Sequence, residues 1–513
     1  MKYLLFIRTT YAMILAYRKS FVNAFSKSRE NVSMNSRTPK YITIKNNLIH
    51  KIESGCYQPG DAIPSDNELM RTLNISKSTI TQALKTLEAE GYIVRQQGKG
   101  SFVTDRTQLQ TVLSIYLCPM EESEKQFWTP LIEAFNESNQ GFTVKGTFLS
   151  NQKAPLRDTL FQSFTSGNAP DILSLDGPDV AYWAYMNSLL PFDDYMDDAF
   201  LSSFLDPILL QGRFRGKLYH LGYTESTLCI LYNKELFHCL GIRIPSGIDD
   251  AWSWDEFLSV CKLIKEKTSF PYPLLMDSGR GLSPKSGEWN SYSGLPFILQ
   301  NNGRLFNDDL TKTSGYINSP ESIAAMDWLG NLFHKYNYTH IEDVSDNFPN
   351  NFAMSLSLPN AYFQSLKEND NIGLIPLPHG KKAAIPHGSW GLCMSRQTRH
   401  PEQCCQFIRY VFSLQNQLKI SRLTGIPVLK EIHEVMDSFQ TVSSNNNILF
   451  SQLRHSSFTR PQTPAYPFFS KQFAYAYYHI ATGADVQKEL THLSEQVDDH
   501  LFRHNYYLND NIS

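Results

Sequence analysis

The stretch from Asp61 to Val103 constrains this chain more than any other, because its starts and stops are spaced for two short helices and a hairpin. It reads Gly60-Asp61-Ala62-Ile63-Pro64-Ser65-Asp66-Asn67-Glu68-Leu69, then Leu73-Asn74-Ile75-Ser76-Lys77-Ser78-Thr79-Ile80. Ser65 stands three residues before Glu68, the spacing at which each side chain caps the other's backbone N–H at a helix start. Leu73-Asn74-Ile75-Ser76 stops that helix, and Ser76 can cap the next. Ile80, Leu84 and Leu87 recur at i, i+4 and i+7, so one face of the second helix is apolar; Ser78, Thr81, Gln82 and Lys85 fall opposite. Ile93-Val94-Arg95 and Ser101-Phe102-Val103, joined through Gly98-Lys99-Gly100, read as a hairpin. Ahead of them, Lys40 to Gly55 reads as a first helix with Ile44, Leu48 and Ile52 on one face, closed by Pro59-Gly60. Two short helices across a tight turn, the second exposing small polar and basic side chains, are helix-turn-helix chemistry, and the hairpin adds a wing.

The charge distribution agrees. The chain carries a net charge of −3, yet residues 34–106 hold ten Lys and Arg against seven Asp and Glu, and residues 107–513 hold 31 against 42. Phosphate attraction supplies most non-specific affinity for DNA, so a modest positive balance belongs with a small reader module. Residues 1–33 are more basic still, with six Lys and Arg against one Glu. Their apolar run Tyr3-Leu4-Leu5-Phe6-Ile7 is broken by Arg8, which argues against a secretory signal and against the ~18 apolar residues of a membrane span. A basic arm and a translation start at Met34 are the two readings of this segment, and the second is preferred. Eight scattered cysteines without a CxxC pair point to reduced, mostly buried thiols, with neither a disulfide framework nor a metal site.

The run from Lys40 to Val103 resembles the winged-helix domain of the GntR family of bacterial transcription regulators, through Pro-Ser-x-x-x-Leu, Ser-x-x-Thr, Leu-Glu-x-Glu-Gly and Gly-Lys-Gly in that order. The resemblance implies an α+β winged helix-turn-helix over residues 37–104, with 1–36 as an extension. It places contacts to double-stranded operator DNA at Ser65, Asn67, Lys77, Ser78, Thr79, Thr81, Gln82, Gly98 and Lys99. Asn67 and Thr81 stand where many relatives carry arginine. An Asn can pair with adenine and a Thr can pack on a thymine methyl, so a different operator is expected.

After a short polar linker, 105–110, the pattern changes. Val112 to Leu117, Phe142 to Val144 and Asp171 to Asp176 read as strands, with helices at 128–139 and 156–166 between them. Such alternation argues for an α/β layer architecture. Ligands in these folds bind at the carboxyl ends of strands, which draws attention to Asp176-Gly177-Pro178. From Thr111 to about Leu501 the chain resembles extracellular solute-binding proteins of sugar transporters, the maltose-binding-protein type. The matching pieces are Lys217-Leu218-Tyr219-His220-Leu221-Gly222-Tyr223, Leu231-Tyr232-Asn233-Lys234-Glu235-Leu236-Phe237, Trp254-Asp255-Glu256-Phe257, Leu299-Gln300-Asn301-Asn302-Gly303-Arg304-Leu305-Phe306, Gly388-Ser389-Trp390-Gly391-Leu392, Thr424-Gly425-Ile426-Pro427-Val428 and Pro461-Gln462-Thr463-Pro464-Ala465-Tyr466. The resemblance implies a two-lobed domain over 111–513. Lobe one is expected at about 111–226 and 352–383, lobe two at about 227–351 and 384–450, with closing helices in 451–513. Leu358 and Asn360 depart from the glycine and tryptophan common in relatives.

Sugars are held by aromatic faces against their C–H surfaces and by polar side chains on their hydroxyls. The expected cleft residues are Asp176, Trp183, Tyr223, Glu225, Trp289, Trp390 and Tyr466, with Tyr182, Asn290 and Arg460 as further candidates. Trp183 and Trp390 lead because they are expected to be exposed at a cleft. No GxSxG, HExxH or Walker loop is present, and His379 and His387 read as surface histidines, so neither an enzyme nor a cofactor is expected. The sequence therefore points to a cytoplasmic, homodimeric transcription regulator that senses a small solute, a sugar or oligosaccharide. A transport binding protein and a regulator whose large domain docks a protein partner are the alternatives.

Overall fold

The structure is a computed structural model. It describes residues 40–507 apart from 90, 97, 106–110, 120–121, 140, 151–152, 277–281, 285–286, 342–347, 349–350, 360–370, 389, 425 and 434–443. The N-terminal extension, the linker interior and Asn360 lie outside these residues. The chain divides into two compact units near residue 110.

The first unit contains α1 (Lys40–Glu53), β1 (Ala62–Ile63), α2 (Asp66–Leu73), α3 (Lys77–Ala89), β2 (Ile93–Gln96) and β3 (Gly100–Val103). The anticipated capping box forms: the Ser65 side chain accepts from the Glu68 N–H, and Glu68 accepts from the Ser65 N–H. Asn74 closes α2 in the left-handed conformation, φ 51°, one that Asn tolerates better than most residues. In α3, Ile80, Ala83, Leu84 and Leu87 are fully buried against Ile44, Leu48 and Ile49 of α1, Tyr92, and Ile93 and Val103 of the sheet. The three strands run β1-β3-β2, all antiparallel. The β2–β3 turn uses Gly98 and Gly100 at φ +76° and +114°, which a side chain would strain.

The second unit is α/β. Strands used below are β4 (Thr111–Leu117), β5 (Phe142–Phe148), β6 (Ile172–Asp176), β7 (Leu221–Gly222), β8 (Cys229–Asn233), β9 (Leu274–Leu275), β10 (Met354–Ser357), β11 (Ile372–Pro376), β12 (Ile385–Pro386), β13 (Trp390–Ser395) and β14 (Ser457–Phe458). Helices used below are α4 (Glu122–Ser138), α5 (Lys153–Thr165), α6 (Glu288–Gln300), α7 (Pro320–His334), α8 (Pro401–Val411), α9 (Tyr466–Ala481) and α10 (Val486–His504). One sheet has the order β7-β13-β6-β4-β5, with β4 parallel to its neighbours and β13 antiparallel to β6 and β7. A second has the order β9-β10-β8-β11, with β8 antiparallel to both neighbours. These are the two lobes. Leu113, Ile115 and Leu117 point from β4 into a core with Trp128, Leu131 and Phe135 of α4. Phe473 and Tyr477 of α9 and Leu329 and Phe333 of α7 fill lobe two, together with Leu490 and Val497 of α10.

The two-lobed architecture agrees with expectation, but the second crossover does not. Residues 354–357 and 372–376 both pair with β8, so the described strands of the segment expected in lobe one, 352–383, belong to the lobe-two sheet. Conversely β13 pairs with β6, and Phe407 of α8 meets Phe135 of α4 at 5.0 Å, so much of 384–450 returns to lobe one. The reason is physical: strand partners are chosen by long-range packing and burial, and the local pattern of a buried strand is the same on either sheet.

Leu84→Ala should leave a cavity at the meeting point of α1, α3 and the wing. The expected cost is about 2–5 kcal/mol, read as lower amide-exchange protection in residues 40–103 with protection of the second unit unchanged.

Candidate functional site

Chain crossings between the lobes bring together residues distant in sequence. Segments 225–228, 385–388 and 456–460 lie side by side: Ser226 bridges to Gly388, and β12 pairs parallel with β14. Glu225 is buried there. Its Oε1 accepts from the N–H groups of Ser226 and Gly388, each at 2.8 Å, and its Oε2 lies 3.6 Å from His387 Nδ1. His387 Nε2 is 2.9 Å from Thr459 Oγ1. Both side chains therefore tie the crossover strands together. His387, expected at the surface, is 1% exposed, because the sequence does not reveal that its strand is a crossover covered by another. Ser226 Oγ donates to the Gly388 carbonyl at 2.8 Å and lies 2.9 Å from Tyr292 Oη.

Beside this hinge Arg460 is buried, and its guanidinium joins the lobes. Nη2 is 3.0 Å from Asp176 Oδ1, at the carboxyl end of β6 in lobe one, and Nη1 is 2.6 Å from Glu288 Oε1, the first residue of α6 in lobe two. Glu288 also accepts from Tyr466 Oη at 2.7 Å and Ser470 Oγ at 2.6 Å. Tyr466 and Ser470 are four apart on α9, hence on one face. Tyr292, one turn beyond Glu288, presents its ring 5.1 Å from the Arg460 guanidinium carbon, a cation–π distance. Burial works against the Arg460 charge, but Asp176 and Glu288 outweigh it and hold the pKa well above its ordinary value. Burial likewise raises Tyr466 and Tyr292, keeping both phenols protonated. A Cβ on Gly388 would lie 1.9 Å from Arg460 Nη2, so only glycine lets the guanidinium through.

Of the expected cleft residues, Asp176 and Tyr466 meet in this cluster, as does the further candidate Arg460. Trp390 is half-buried on β13, in register with Asp176, and Trp289 is half-buried with its ring 6.0 Å from that of Tyr292. Glu225 belongs to the hinge. Trp183, expected to be exposed, is 2% exposed and packs with Leu156, Leu160, Leu175 and Val180 inside lobe one. It lies on the inner face of the short helix Val180–Tyr185. Tyr223 is 1% exposed, edge-on to Trp128 at 5.0 Å. Neither ring face is offered to a ligand in this conformation. Asn290 points into lobe two and donates to the Ser283 carbonyl at 2.8 Å; Tyr182 is half-buried with its ring 5.4 Å from that of Trp183. Sequence reading missed Glu288, Tyr292 and Ser470. Arg157 of α5, paired with Asp179 at 2.9 Å, was also missed.

In the first unit Lys77, Ser78, Gln82, Gly98 and Lys99 are exposed, as are Ser65 and Asn67. Ser76 Oγ lies 2.8 Å from Thr79 Oγ1 and 3.1 Å from Ser78 Oγ, a hydroxyl cluster at the start of α3. Thr81 donates to Asp66 Oδ2 at 3.4 Å. Among the described residues no group of three or more His, Cys, Asp or Glu could hold a metal ion, and no helix is long and apolar enough to cross a membrane.

A family model described as bacterial extracellular solute-binding protein matches residues 121–418, and one described as bacterial regulatory proteins, gntR family, matches residues 40–103. The uncharacterized HTH-type transcriptional regulator YurK of Bacillus subtilis is 44% identical over 68 residues, 13% of this chain and 28% of the relative. The probable fructoselysine utilization operon transcriptional repressor of Escherichia coli is 39% identical over 75 residues, 15% of this chain and 31% of the relative. The chain thus spans about three-tenths of the length of these regulators. The multiple sugar-binding protein of Streptococcus mutans is 23% identical over 329 residues, 60% of this chain and 73% of the relative. Among solved structures, a solute-binding protein of Thermotoga lettingae bound with α-D-tagatose has TM-score 0.65 and 20% identity, covering 76% of this chain and 100% of that one. That likeness establishes the fold.

Two outcomes test the site's energetics. Arg460→Met leaves Asp176 and Glu288 uncompensated and should cost about 3–5 kcal/mol in urea unfolding, and Gly388→Ala should destabilise by displacing the same guanidinium. His220, buried with Nε2 3.2 Å from the Leu175 carbonyl, is pushed down to about 4 by burial. Its pKa is lower folded than unfolded, so its contribution is present above pH 6.5 and lost as pH falls towards 4. Stability should decline between those values by about 1.4 kcal/mol per pH unit from this group, and His220→Gln should flatten that decline.

Proposed function

The chain belongs to the bacterial extracellular solute-binding proteins and carries a gntR-family domain ahead of that fold, and from this premise we propose that it is a transcription regulator whose DNA binding responds to a small carbohydrate. The observation that carries the reading is the union, in one chain, of an exposed polar and basic face on α3 with a cleft-type cluster contributed by both lobes. DNA is bound through Lys77, Ser78, Thr79 and Gln82 at the recognition helix and Gly98-Lys99 on the wing, with Ser65, Asn67 and Thr81 alongside. Lysines neutralise phosphate while shorter polar groups face base edges.

The effector sits between the lobes beside Asp176 and Glu288, with Trp289 and Trp390 supplying aromatic faces. Carboxylates accept from sugar hydroxyls, and the indoles cover the C–H faces. A ligand that prefers one separation of the lobes shifts the population of lobe arrangements by its differential affinity, and no more than that. The regulator acts in the cytoplasm as a two-fold homodimer on half-sites about one helical turn apart, and needs no cofactor.

A thermal-shift screen of the full chain against mono- and oligosaccharides tests the sensor. A sugar at ~100 times its dissociation constant stabilises the native state by about 2.7 kcal/mol, and Trp390→Ala should abolish that stabilisation while the unliganded protein melts normally. Stabilisation that survives Trp390→Ala places the sugar elsewhere. For the reader, Lys77→Ala combined with Lys99→Ala should weaken binding to the protein's own promoter DNA and reduce the salt dependence of log K by about 1 for each phosphate no longer neutralised. An unchanged salt slope removes both residues from the interface.

A further inference from the structure

The outward stripe of α3 carries Lys77, Ser78, Gln82 and Lys85, all exposed. Residues 78, 82 and 85 follow at i, i+4 and i+7, so they lie one above another along the helix. What each can read depends on what already holds it. Ser78 belongs to the hydroxyl cluster around Ser76 Oγ, at 3.1 Å, and offers a base one atom at most. Lys77 and Lys85 are mobile point charges suited to phosphate. Thr81 is turned aside, its hydroxyl donating to Asp66. Gln82 differs from all of them: among the described residues no hydrogen bond engages its carboxamide, and the side-chain bond it receives goes to its backbone carbonyl, from Thr86 Oγ1 at 2.9 Å. Its side-chain oxygen and NH2 stand side by side, matching the N6–H donor and N7 acceptor of adenine in the major groove.

Guanine is read bidentately by arginine above all, and the stripe holds none. The first unit's Arg71 lies in the last turn of α2, at the end away from the Ser65 cap. Arg95 on β2 is committed within the protein. Its Nη2 lies 3.2 and 3.1 Å from the two carboxylate oxygens of Asp66, and its backbone N–H donates to Glu88 Oε1 at 3.1 Å. Side-chain exposures of 30% and 25% put the Arg95–Asp66 pair partly out of water. Drawing Arg95 away to a base would leave the Asp66 carboxylate unpaired near a phosphate backbone, so the arginine serves to neutralise Asp66. The Asp66–Arg95–Thr81 triangle ties α2, the wing and α3 into one surface, and in doing so it holds the Thr81 hydroxyl and the Arg95 guanidinium away from hydrogen bonding to bases.

Resting on the DNA-binding reading above, we propose that Gln82 makes the bidentate base contact of this reader, and that each operator half-site therefore carries an A·T pair, adenine edge toward the helix, where an arginine-bearing helix would select guanine. Gln82 is thus the specificity-determining residue of the helix, and the lysines beside it supply affinity without sequence preference.

The test uses the full-length protein and a pool of duplexes with randomised half-sites. Affinities are then measured for the enriched duplex and each single-pair replacement, with wild type, Gln82→Ala, Gln82→Arg and Arg95→Ala. Gln82 is exposed, so unchanged melting temperatures are expected for its variants and serve as the control for folding. One A·T position per half-site should emerge whose replacement by G·C weakens the wild type about 10-fold or more. Gln82→Ala should become indifferent at that position alone, and Gln82→Arg should move its preference to G·C. Enrichment of a duplex whose pairs are all read equally by wild type and Gln82→Ala would overturn the inference while leaving the protein a DNA reader, as would a G·C preference that disappears with Arg95→Ala. No enrichment over random duplex would remove the DNA-reader reading and this inference with it.

Discussion

A single guanidinium holds the second unit's two lobes in register. Arg460 is 2% exposed, and a cation that far from water persists only where opposite charge and hydrogen bonds replace its hydration. Asp176 supplies this from the end of a lobe-one strand and Glu288 from the start of a lobe-two helix, with Tyr466 and Ser470 donating to Glu288 in turn. The geometry reaches back into the hinge, since Gly388 must lack a side chain for Arg460 to pass, and the neighbouring backbone is fixed by Glu225 and Ser226. The Arg460 cluster is thereby joined to the crossover strands through direct contacts.

Local chemistry made the first unit readable. The Ser65–Glu68 capping box, the Asn74 stop and the i, i+4, i+7 apolar row of α3 are decided by residues within a turn or two of one another, and the structure places them as their spacing predicts. The lobes were legible as a class, because strands alternating with helices admit few layer arrangements. Their membership was not. Whether 354–357 pairs with 229–233 or with 111–117 is settled by packing across more than a hundred residues, and nothing in Met354-Ser355-Leu356-Ser357 records it.

The inter-lobe cluster was legible by half. Asp176 could be found because it ends a strand ahead of a Gly-Pro turn, a position with a known bias toward ligands. Glu288 could not: it opens a helix after a run of glycines and serines, and only the fold brings Arg460 to it from 172 residues away. Trp183 misled for a related reason. An aromatic residue after a strand end has the same local sequence whether its helix faces the cleft or the core, and here Val180 and Trp183 share the buried face.

A solute-binding-protein fold and a gntR-family domain share one chain here, and coupling between them would have a thermodynamic signature. The most direct measurement is calorimetric titration of the stabilising sugar into the full-length protein, once alone and once saturated with its operator duplex, beside the operator affinity measured with and without that sugar. Coupled sites require the two affinity ratios to agree, each reflecting a coupling of roughly 1–3 kcal/mol, about 5- to 150-fold. Sugar and operator that both bind while neither alters the affinity of the other would contradict this, leaving two functions that share a chain without communicating.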